Sequence, residues 1–362
     1  MQKIKNFEFL RIMLLLGIVL HHAFINSNWS LYKMFPDIQL YESLYKNFMY
    51  ANNGVEGFFI ISGFLFVLTF KSEQSLYDFI KSKYIRLAPV IIAGTFICAV
   101  AAVYKMIEFK IIPNILTMLL LNNFIIRWGT GCIGSVWYVS ALFTCFIIFY
   151  LIKKRTINKD KYIKIIFWSF VGGYALIEIL KGRSFANPGR TYFFIFNIGF
   201  LRAVGGIALG MLIAEYYKKY KDKIENLNFN KMQYLYISAG EFILLSALIW
   251  WSFVEHKKVN NILYVFIFAG LLIFFILRKG LFSKLLNNNI WVFAAKYSYS
   301  IFVTHTLIYK LFSYYFWANY SDTVHKYIWL PVLSNLLLVI LLGILMYHLV
   351  EQPVINYFKK KK

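Results

Sequence analysis

Long apolar runs, separated by short polar stretches, recur along the whole chain. Most runs are about 17–25 residues long, which is enough for a helix to cross ~30 Å of hydrocarbon. They are continuous and lack the alternation of period two that a transmembrane barrel requires. The pattern therefore predicts an all-α, polytopic transmembrane helical bundle with about ten spans, at residues 8–26, 52–70, 88–104, 135–152, 162–180, 191–215, 232–253, 261–277, 291–313 and 328–350.

One further apolar segment, 113–126 (PNILTMLLLNNFII), is short for a span. A run of this length is more typical of an interfacial or re-entrant helix. With this segment excluded, the loops alternate so that most of the 39 Lys and Arg residues fall on one side. Cytoplasmic loops carry an excess of basic residues, so the N- and C-termini are both predicted to be cytoplasmic.

Composition agrees with a membrane protein, since 60% of the residues are hydrophobic and only 15% are charged. The net charge of +23 would suggest nucleic acid as the partner of a soluble protein. Here the excess of basic residues in cytoplasmic loops explains it, so we expect the lipid bilayer and no nucleic acid as a partner. No small-x-small cleavage site follows the first run, which predicts an uncleaved first span. No polar stretch has room for a separate soluble domain, and we predict a single membrane-embedded domain over residues 1–362.

The three cysteines, Cys98, Cys132 and Cys145, lie in or beside apolar runs and form no CxxC pair. In such surroundings cysteine usually behaves as a small hydrophobic residue. We therefore expect no metal, disulfide or nucleophilic role for them.

Ionisable residues inside predicted spans are costly and often mark a functional site. Arg11 and His22 lie eleven residues apart in the first span. On a helix this separation is three turns plus about 20°, with a rise of about 16 Å, so both side chains share one face. His21 points about 100° away. A fixed cation and a titratable imidazole on one face suit anion binding and proton transfer. Snorkelling of Arg11 to lipid phosphates and simple packing of His22 are the alternatives.

Glu56 lies in the first turn of the second span, which runs antiparallel to the first. It is therefore expected at about the depth of His22. A carboxylate there could orient the imidazole and stabilise its charged form, as the third member of a triad does. The alternative is that Glu56 is favoured at this helix N-terminus by the helix dipole.

Motifs along nearly the whole chain resemble those of acyltransferase family 3, a family of integral membrane proteins. They are the R-x10-H pair Arg11 and His22; GVEGFFIISGFLF, with Glu56 where the family more often has Asp; FIKSKYIRLAPV, with Lys83, Arg86 and Pro89; VWYVSALFTCFIIFYL, with Trp137 and Tyr138; FLRAVGGIALGMLIA, with Arg202 and Gly210; YSYSIFVTHTLIY, with His305; and VEQPVINYFKKKK. The chain is similar to the stand-alone form, which has no fused SGNH-type domain.

The resemblance implies a membrane O-acyltransferase of the bacterial inner membrane. Such enzymes move an acetyl or other short acyl group from cytoplasmic acyl-CoA to a hydroxyl of a cell-surface or lipid-linked glycan, with polysaccharide-assembly proteins as further partners. Acetyl-CoA is the expected donor, and no metal is expected. The implied catalytic residues are His22 as general base, Arg11 and Glu56; the implied donor-binding residues are Arg11, Lys83 and Arg86, with Lys81 beside them; and the implied acceptor-binding residues are Arg202, His305, Trp137 and Tyr138.

The residues leave other functions open. A transporter or flippase of a lipid-linked glycan would also need charges inside the membrane, and a non-catalytic partner of a polysaccharide synthase could keep the motifs. Direct transfer and an acyl-enzyme on His22 are both compatible with the sequence. His348 and Glu351 are expected to form a structural cap at the end of the last span, and His256 and His325, in outer loops, receive no role.

Overall fold

The computed structural model describes residues 4–24, 31–48, 50–122, 131–181, 191–192, 196–253, 261–317 and 319–360. Over these residues the chain is almost entirely helical. Its α-helices are α1 (Lys5–Phe24), α2 (Leu31–Met34), α3 (Gln39–Phe48), α4 (Gly54–Thr69), α5 (Leu76–Val103), α6 (Ile111–Met118), α7 (Val136–Arg155), α8 (Lys159–Lys181), α9 (Ile198–Glu225), α10 (Lys231–Phe253), α11 (Ile262–Leu277), α12 (Leu281–Leu285), α13 (Asn289–Ala295), α14 (Ser298–Ile308), α15 (Ser321–Lys326), α16 (Leu330–Met346) and α17 (Gln352–Lys360).

Three other kinds of element complete the chain. A short 3₁₀ turn, Ala51–Asn53, precedes α4. Two π-helical stretches, Tyr309–Trp317 and Tyr347–Glu351, continue α14 and α16. Two two-residue strands, β1 (Thr191–Tyr192) and β2 (Phe196–Asn197), pair antiparallel before α9.

The predicted all-α, polytopic bundle is confirmed. Among the described residues, eight helical segments are long and apolar enough to cross a membrane, and α11 is a shorter apolar helix. The remaining predicted span, 291–313, is divided between α13, α14 and the π-helical stretch that follows α14. The cytoplasmic position of both termini stays a prediction.

The predicted short helix near 113–126 corresponds to α6, which has eight residues and cannot span the hydrocarbon. Side chains of two spanning helices hold the end of this segment: the Tyr84 hydroxyl donates to the Met118 carbonyl (3.0 Å), and the Ser140 hydroxyl donates to the Leu120 carbonyl (2.7 Å). Residues 123–130 of the predicted segment lie outside the described residues.

The fifth helix begins well before the predicted boundary at residue 88. Ser75 caps it, because its hydroxyl oxygen accepts a hydrogen bond from the backbone N–H of Asp78 (3.0 Å). Lys83 and Arg86 are therefore fixed on a helix rather than in a loop. Because α5 is one helix of 28 residues, these two cations lie on the same helix as the predicted span that follows them.

Small residues let α4 and α9 approach at backbone contact. Gly63 faces the main chain of Ile207, and Gly210 faces the main-chain carbonyl of Ile60, so a Cβ at either glycine would collide with backbone. Glycines at such crossings are typical of helix packing in membranes. The two helices therefore form one closely packed unit.

Replacing Gly210 by alanine should lower the free energy of unfolding by roughly 1–3 kcal/mol, because the added methyl group must push the helices apart. Thermal unfolding of the purified protein in detergent would measure the change. The matched control is Gly172→Ala on α8, where an added Cβ meets no atom of the described residues within 4 Å. A Gly210→Ala variant as stable as the control would contradict the packing.

The expectation that no cysteine is bridged was wrong. Cys98 on α5 and Cys132 form a disulfide with Cα atoms 6.4 Å apart, and Cys145 keeps a buried free thiol. The bridge ties the segment that precedes α7 to α5. The backbone of Cys132 is also held, because its N–H donates to Asn114 (2.9 Å) and its carbonyl accepts from Lys310 (2.6 Å).

A cap layer of α2, α3 and α15 lies at the end of α1 that carries His22. The ring nitrogen Nδ1 of His21 hydrogen-bonds with the Phe48 carbonyl oxygen (3.0 Å), which joins α1 to this layer. The Tyr41 hydroxyl donates to the Ile328 carbonyl (2.7 Å). Nε2 of His325 lies 2.6 Å from the Asp37 carboxylate and joins α15 to the chain before α3. The cap layer thus covers one end of the bundle.

The contact between Asp37 and His325 depends on pH. The Ser321 carbonyl and then the Asp37 carboxylate raise the pKa of His325, and the hydrogen bond from His325 lowers the pKa of Asp37. The stabilisation from His325 is present at low pH and is lost as pH rises through its raised pKa. The stabilisation from Asp37 is lost as pH falls through its lowered pKa. Both contributions to stability are therefore present only at pH values between the lowered pKa of Asp37 and the raised pKa of His325.

We expect Asp37→Asn to lower the pKa of His325 towards its ordinary value, because the neutral amide no longer favours the imidazolium. NMR of ¹³C-labelled histidine during a pH titration would measure this pKa. Asp322→Asn is the matched control, since Asp322 acts on His325 only through space and is the weakest of its influences. An equal shift in the two variants would contradict the contact.

Candidate active site

The first helix carries the predicted cation and imidazole on one face, as its periodicity requires. The Arg11 guanidinium donates to the Glu8 carboxylate (2.8 Å) and to the Ser298 hydroxyl (3.1 Å). Helix α14 runs beside α1 from this point, so that His305 reaches His22. One end of the paired helices is therefore cationic and the other end carries imidazoles.

An inner cavity of about 220 Å³ lies between α1, α4, α5, α7 and α14. It brings together Arg11, Lys83 and Arg86, three cations that lie up to 75 positions apart in the sequence. Apolar side chains of α4 and α7 form much of the remaining wall. Five residues with hydroxyl groups also line the cavity: Ser62, Thr69, Tyr138, Ser298 and Tyr299.

A larger vestibule of about 960 Å³ adjoins the inner cavity. The two share Arg11, Arg86 and Tyr299 in their walls, so these residues lie where they meet. Further basic side chains line the vestibule, from α5, the chain after α13, and α17: Lys81, Lys296 and Lys359. The arrangement provides a wide basic entrance followed by a narrower, partly apolar cavity.

Glu351 lies in the wall of this vestibule, which differs from the structural cap expected from the sequence. Its carboxylate accepts a hydrogen bond from the Ser300 hydroxyl (2.6 Å), and the side chain is buried. The π-helical stretch Tyr347–Glu351 ends just before Pro353, which lacks a backbone N–H and cannot continue an α-helical ladder. His348, on the same stretch, is exposed and lies 3.3 Å from the Tyr297 hydroxyl.

The histidine pair His22 and His305 forms the opposite end of the site. The ring centroids of His22 and His305 are 5.0 Å apart, and those of His21 and His22 are 5.1 Å apart. Nδ1 of His305 donates to the Phe302 carbonyl (2.6 Å), which leaves Nε2 as the nitrogen with a lone pair. That Nε2 has no hydrogen-bond partner among the described residues, although the ring is fully buried. The His22 side chain is more exposed than that of His305.

Glu56 and Arg202 form a buried ion pair, with side chains 0% and 1% exposed. Nε of Arg202 donates to one carboxylate oxygen, and the Tyr174 hydroxyl donates to the other (2.6 Å). The guanidinium carbon also lies 5.3 Å from the ring centroid of Trp137. These contacts differ from the expected contact of Glu56 with His22, because the close approach of α4 and α9 gives the carboxylate to Arg202.

The sequence profile of acyltransferase family 3, described as an acyltransferase domain, matches residues 4–349. The chain belongs to acyltransferase family 3. Neither the curated proteins nor the solved structures gave a match. The matched range includes every α-helix from α1 to α16, and hence the inner cavity, the histidine pair and the buried ion pair. Part of the vestibule wall, including Glu351 and Lys359, lies beyond it.

In this membrane acyltransferase the structure separates the predicted site residues into three groups. Arg11, Lys83, Arg86 and Tyr138 line the inner cavity, and Lys81 lines the vestibule. His22 and His305 form the histidine pair. Arg202, Trp137 and Glu56 belong to the buried network, so Arg202 lies inside the bundle rather than at a cavity surface. His325 belongs to the cap layer, and His256 lies outside the described residues.

Sequence reasoning missed several residues of this acyltransferase. Tyr174 is a polar group within an apolar helix, and nothing in its local pattern distinguishes it from a packing residue. Ser298 lies in the motif YSYSIFVTHTLIY, in which only His305 was given a role. Lys296, a cation within the predicted span 291–313, was also given no role, and it lies in the vestibule. A charged residue inside an apolar run is itself a signal of a cavity or partner, and that signal would have found it.

Proposed function

We propose that this acyltransferase moves a short acyl group, acetyl in the first instance, from cytoplasmic acyl-CoA to a hydroxyl of a cell-surface or lipid-linked glycan. One observation supports the proposal above the others: α1 and α14 connect a cationic cavity at Arg11 with a histidine pair at His22. A donor with several phosphates needs the cationic cavity, and an acceptor hydroxyl needs an imidazole that can take its proton. The bacterial inner membrane is the proposed location, with the Arg11 end facing the cytoplasm, where acyl-CoA is found.

The vestibule and inner cavity suit the two parts of acyl-CoA. Lys81, Lys296 and Lys359 line the wide part, where the phosphates of the nucleotide would be held by charge-assisted hydrogen bonds. Arg11 and Arg86 lie where the vestibule meets the cavity, beyond which the wall becomes apolar. The uncharged pantetheine arm and the acyl group would then extend along the inner cavity towards the histidine pair.

His22 is the proposed general base. The acceptor oxygen attacks the thioester carbonyl carbon while His22 takes the hydroxyl proton, so a C–O bond forms and the C–S bond breaks. The imidazolium then returns the proton to the departing thiolate, which leaves as the thiol of CoA. Positioned proton transfer of this kind contributes about 10²–10⁴-fold in rate. His305 lies beside His22, and its Nε2 would accept a hydrogen bond from the acceptor.

The proposed role of the ion pair of Glu56 and Arg202 is positioning. The Arg202 guanidinium of this pair packs over the Trp137 ring. The ring centroids of Trp137 and Tyr138 are 6.3 Å apart, and Tyr138 is part of the cavity wall. The buried charges thus support the aromatic residues that we propose lie close to the acceptor, and Glu56 acts through these residues rather than on the imidazole.

Inside-out membrane vesicles from cells expressing the chain would test this function. Acetyl-CoA labelled in the acetyl group should transfer label to vesicle glycan as a base-labile ester, whereas adenine-labelled acetyl-CoA should transfer none. Vesicles without the chain are the control. Glycan that crosses the membrane without gaining an acyl group would favour the flippase alternative, and unaltered acetyl-CoA together with unlabelled glycan would contradict the proposal.

A further inference from the structure

Three aromatic rings line the inner cavity at the end nearest the histidine pair. Phe58 on α4, Tyr138 on α7 and Phe302 on α14 have ring centroids 5.2–6.2 Å apart. Phe58 and Tyr138 are the cavity residues closest to the start of their helices, and Phe302 is the one furthest along α14. All three therefore mark the same end of the cavity. We name these three residues the aromatic wall.

The histidine pair lies directly behind this wall. The ring centroid of Phe302 is 5.8 Å from that of His305, which in turn is 5.0 Å from that of His22. A donor that enters between Arg11 and Arg86 meets the aromatic wall at the far end of the cavity. The thioester carbonyl must come to this end to be within reach of a group activated by His22.

Tyr138 and Phe302 have little freedom to move aside, whereas Phe58 is partly exposed. Tyr138 and Phe302 are each 6% exposed, and Tyr138 also packs against Phe59 with ring centroids 4.6 Å apart. Closely packed side chains resist added volume, since an extra methylene forces neighbours from their preferred positions. An acyl group that ends at the wall therefore has a fixed amount of space.

We propose that Phe58, Tyr138 and Phe302 determine the length of the acyl group that the enzyme accepts, so that acetyl fits and each added methylene meets these rings. This inference rests on the proposed function, because it assumes acyl-CoA in the inner cavity. The three residues lie within the motifs GVEGFFIISGFLF, VWYVSALFTCFIIFYL and YSYSIFVTHTLIY. The inference adds a role in donor specificity, which the resemblance did not assign to them. Selection by a rigid apolar pocket is typically about 10–200-fold per methylene.

A competition experiment on the full-length protein in lipid nanodiscs tests the inference. Unlabelled CoA, acetyl-CoA, butyryl-CoA and hexanoyl-CoA would each displace labelled acetyl-CoA from the wild type and from Phe302→Ala. The wild type should bind butyryl-CoA at least about 10-fold more weakly than acetyl-CoA. Phe302→Ala should reduce this difference at least about 10-fold while leaving the affinity for CoA itself unchanged. Phe58→Leu, a smaller change, provides a second variant should Phe302→Ala fail to fold.

The matched control is Phe146→Ala, which removes the same ring from the other end of the same cavity, where the Lys83 ammonium lies 4.7 Å from the ring centroid. It should leave the preference for chain length unchanged. The inference is wrong if the wild type binds all three acyl-CoA compounds equally, if both wall variants keep the wild-type preference, or if the control relaxes it equally. In these cases acyl-CoA still binds and the proposed function stands. Absence of binding by every CoA compound would instead overturn the proposed function.

Discussion

Replacing His22 by alanine should lower the rate of acyl transfer by at least about 100-fold and leave the affinity for acyl-CoA unchanged. The rate falls because no other described imidazole occupies the position of His22, and loss of a positioned general base costs about 10²–10⁴-fold. The affinity is kept because Arg11, which lies where the two cavities meet, is about 16 Å away along α1. The residues that line the two cavities do not include His22. Transfer of labelled acetyl to vesicle glycan and binding of labelled acetyl-CoA are the two measurements.

The matched control is His348→Ala, which removes an exposed imidazole from the other end of the molecule. Its transfer rate should equal that of the wild type at the same membrane level. Wild-type transfer by His22→Ala would show that His22 is a packing residue. Joint loss of transfer and acetyl-CoA binding would show that His22 holds the donor or the fold rather than acting as the base.

Arg202→Met should lower the free energy of unfolding by about 3–5 kcal/mol, because it leaves the Glu56 carboxylate buried without its cation. Both side chains of this pair are at most 1% exposed, so water cannot replace the lost partner. The midpoint of thermal unfolding in detergent, followed by the fraction of monodisperse protein, would measure the loss.

The double variant Glu56→Leu/Arg202→Met should recover much of this stability, since two apolar side chains replace the pair without leaving an isolated charge. Lys221→Met is the matched control, because Lys221 pairs with Glu225 at the surface, where both side chains are at least half exposed. Its effect should be at most about 1 kcal/mol. A loss in Arg202→Met no larger than in the control would contradict a buried, charged Glu56.

The parts of the molecule that depend on local periodicity could be predicted from the sequence. Runs of apolar residues indicated most of the spanning helices, and the period of the α-helix placed Arg11 and His22 on one face. The start of α5 could also have been predicted, because Ser75 followed three residues later by Asp78 is typical of a helix N-terminus. This start places Lys83 on a helix. These features need no knowledge of how the helices pack.

The contacts between distant helices could not be predicted in this way. Glu56 was expected beside His22 from its depth alone, but the glycine contacts of α4 with α9 bring it to Arg202 instead. Cys98 and Cys132 are 34 positions apart and show no spacing motif. Glu351 enters the vestibule wall through a π-helical turn, which the local pattern of apolar residues does not reveal.

The disulfide between Cys98 and Cys132 also bears on the orientation of the chain in the membrane. Disulfides persist in oxidising compartments and are rare in the cytoplasm. Helix α5 begins at the lysine-rich end that charge bias assigns to the cytoplasm, and Cys98 lies 22 residues beyond Leu76, towards the opposite face. Loop charge and thiol oxidation are unrelated effects, yet both favour the same direction of insertion. The cross-link therefore favours an orientation in which the Cys98 end of α5 faces the non-cytoplasmic side of the membrane.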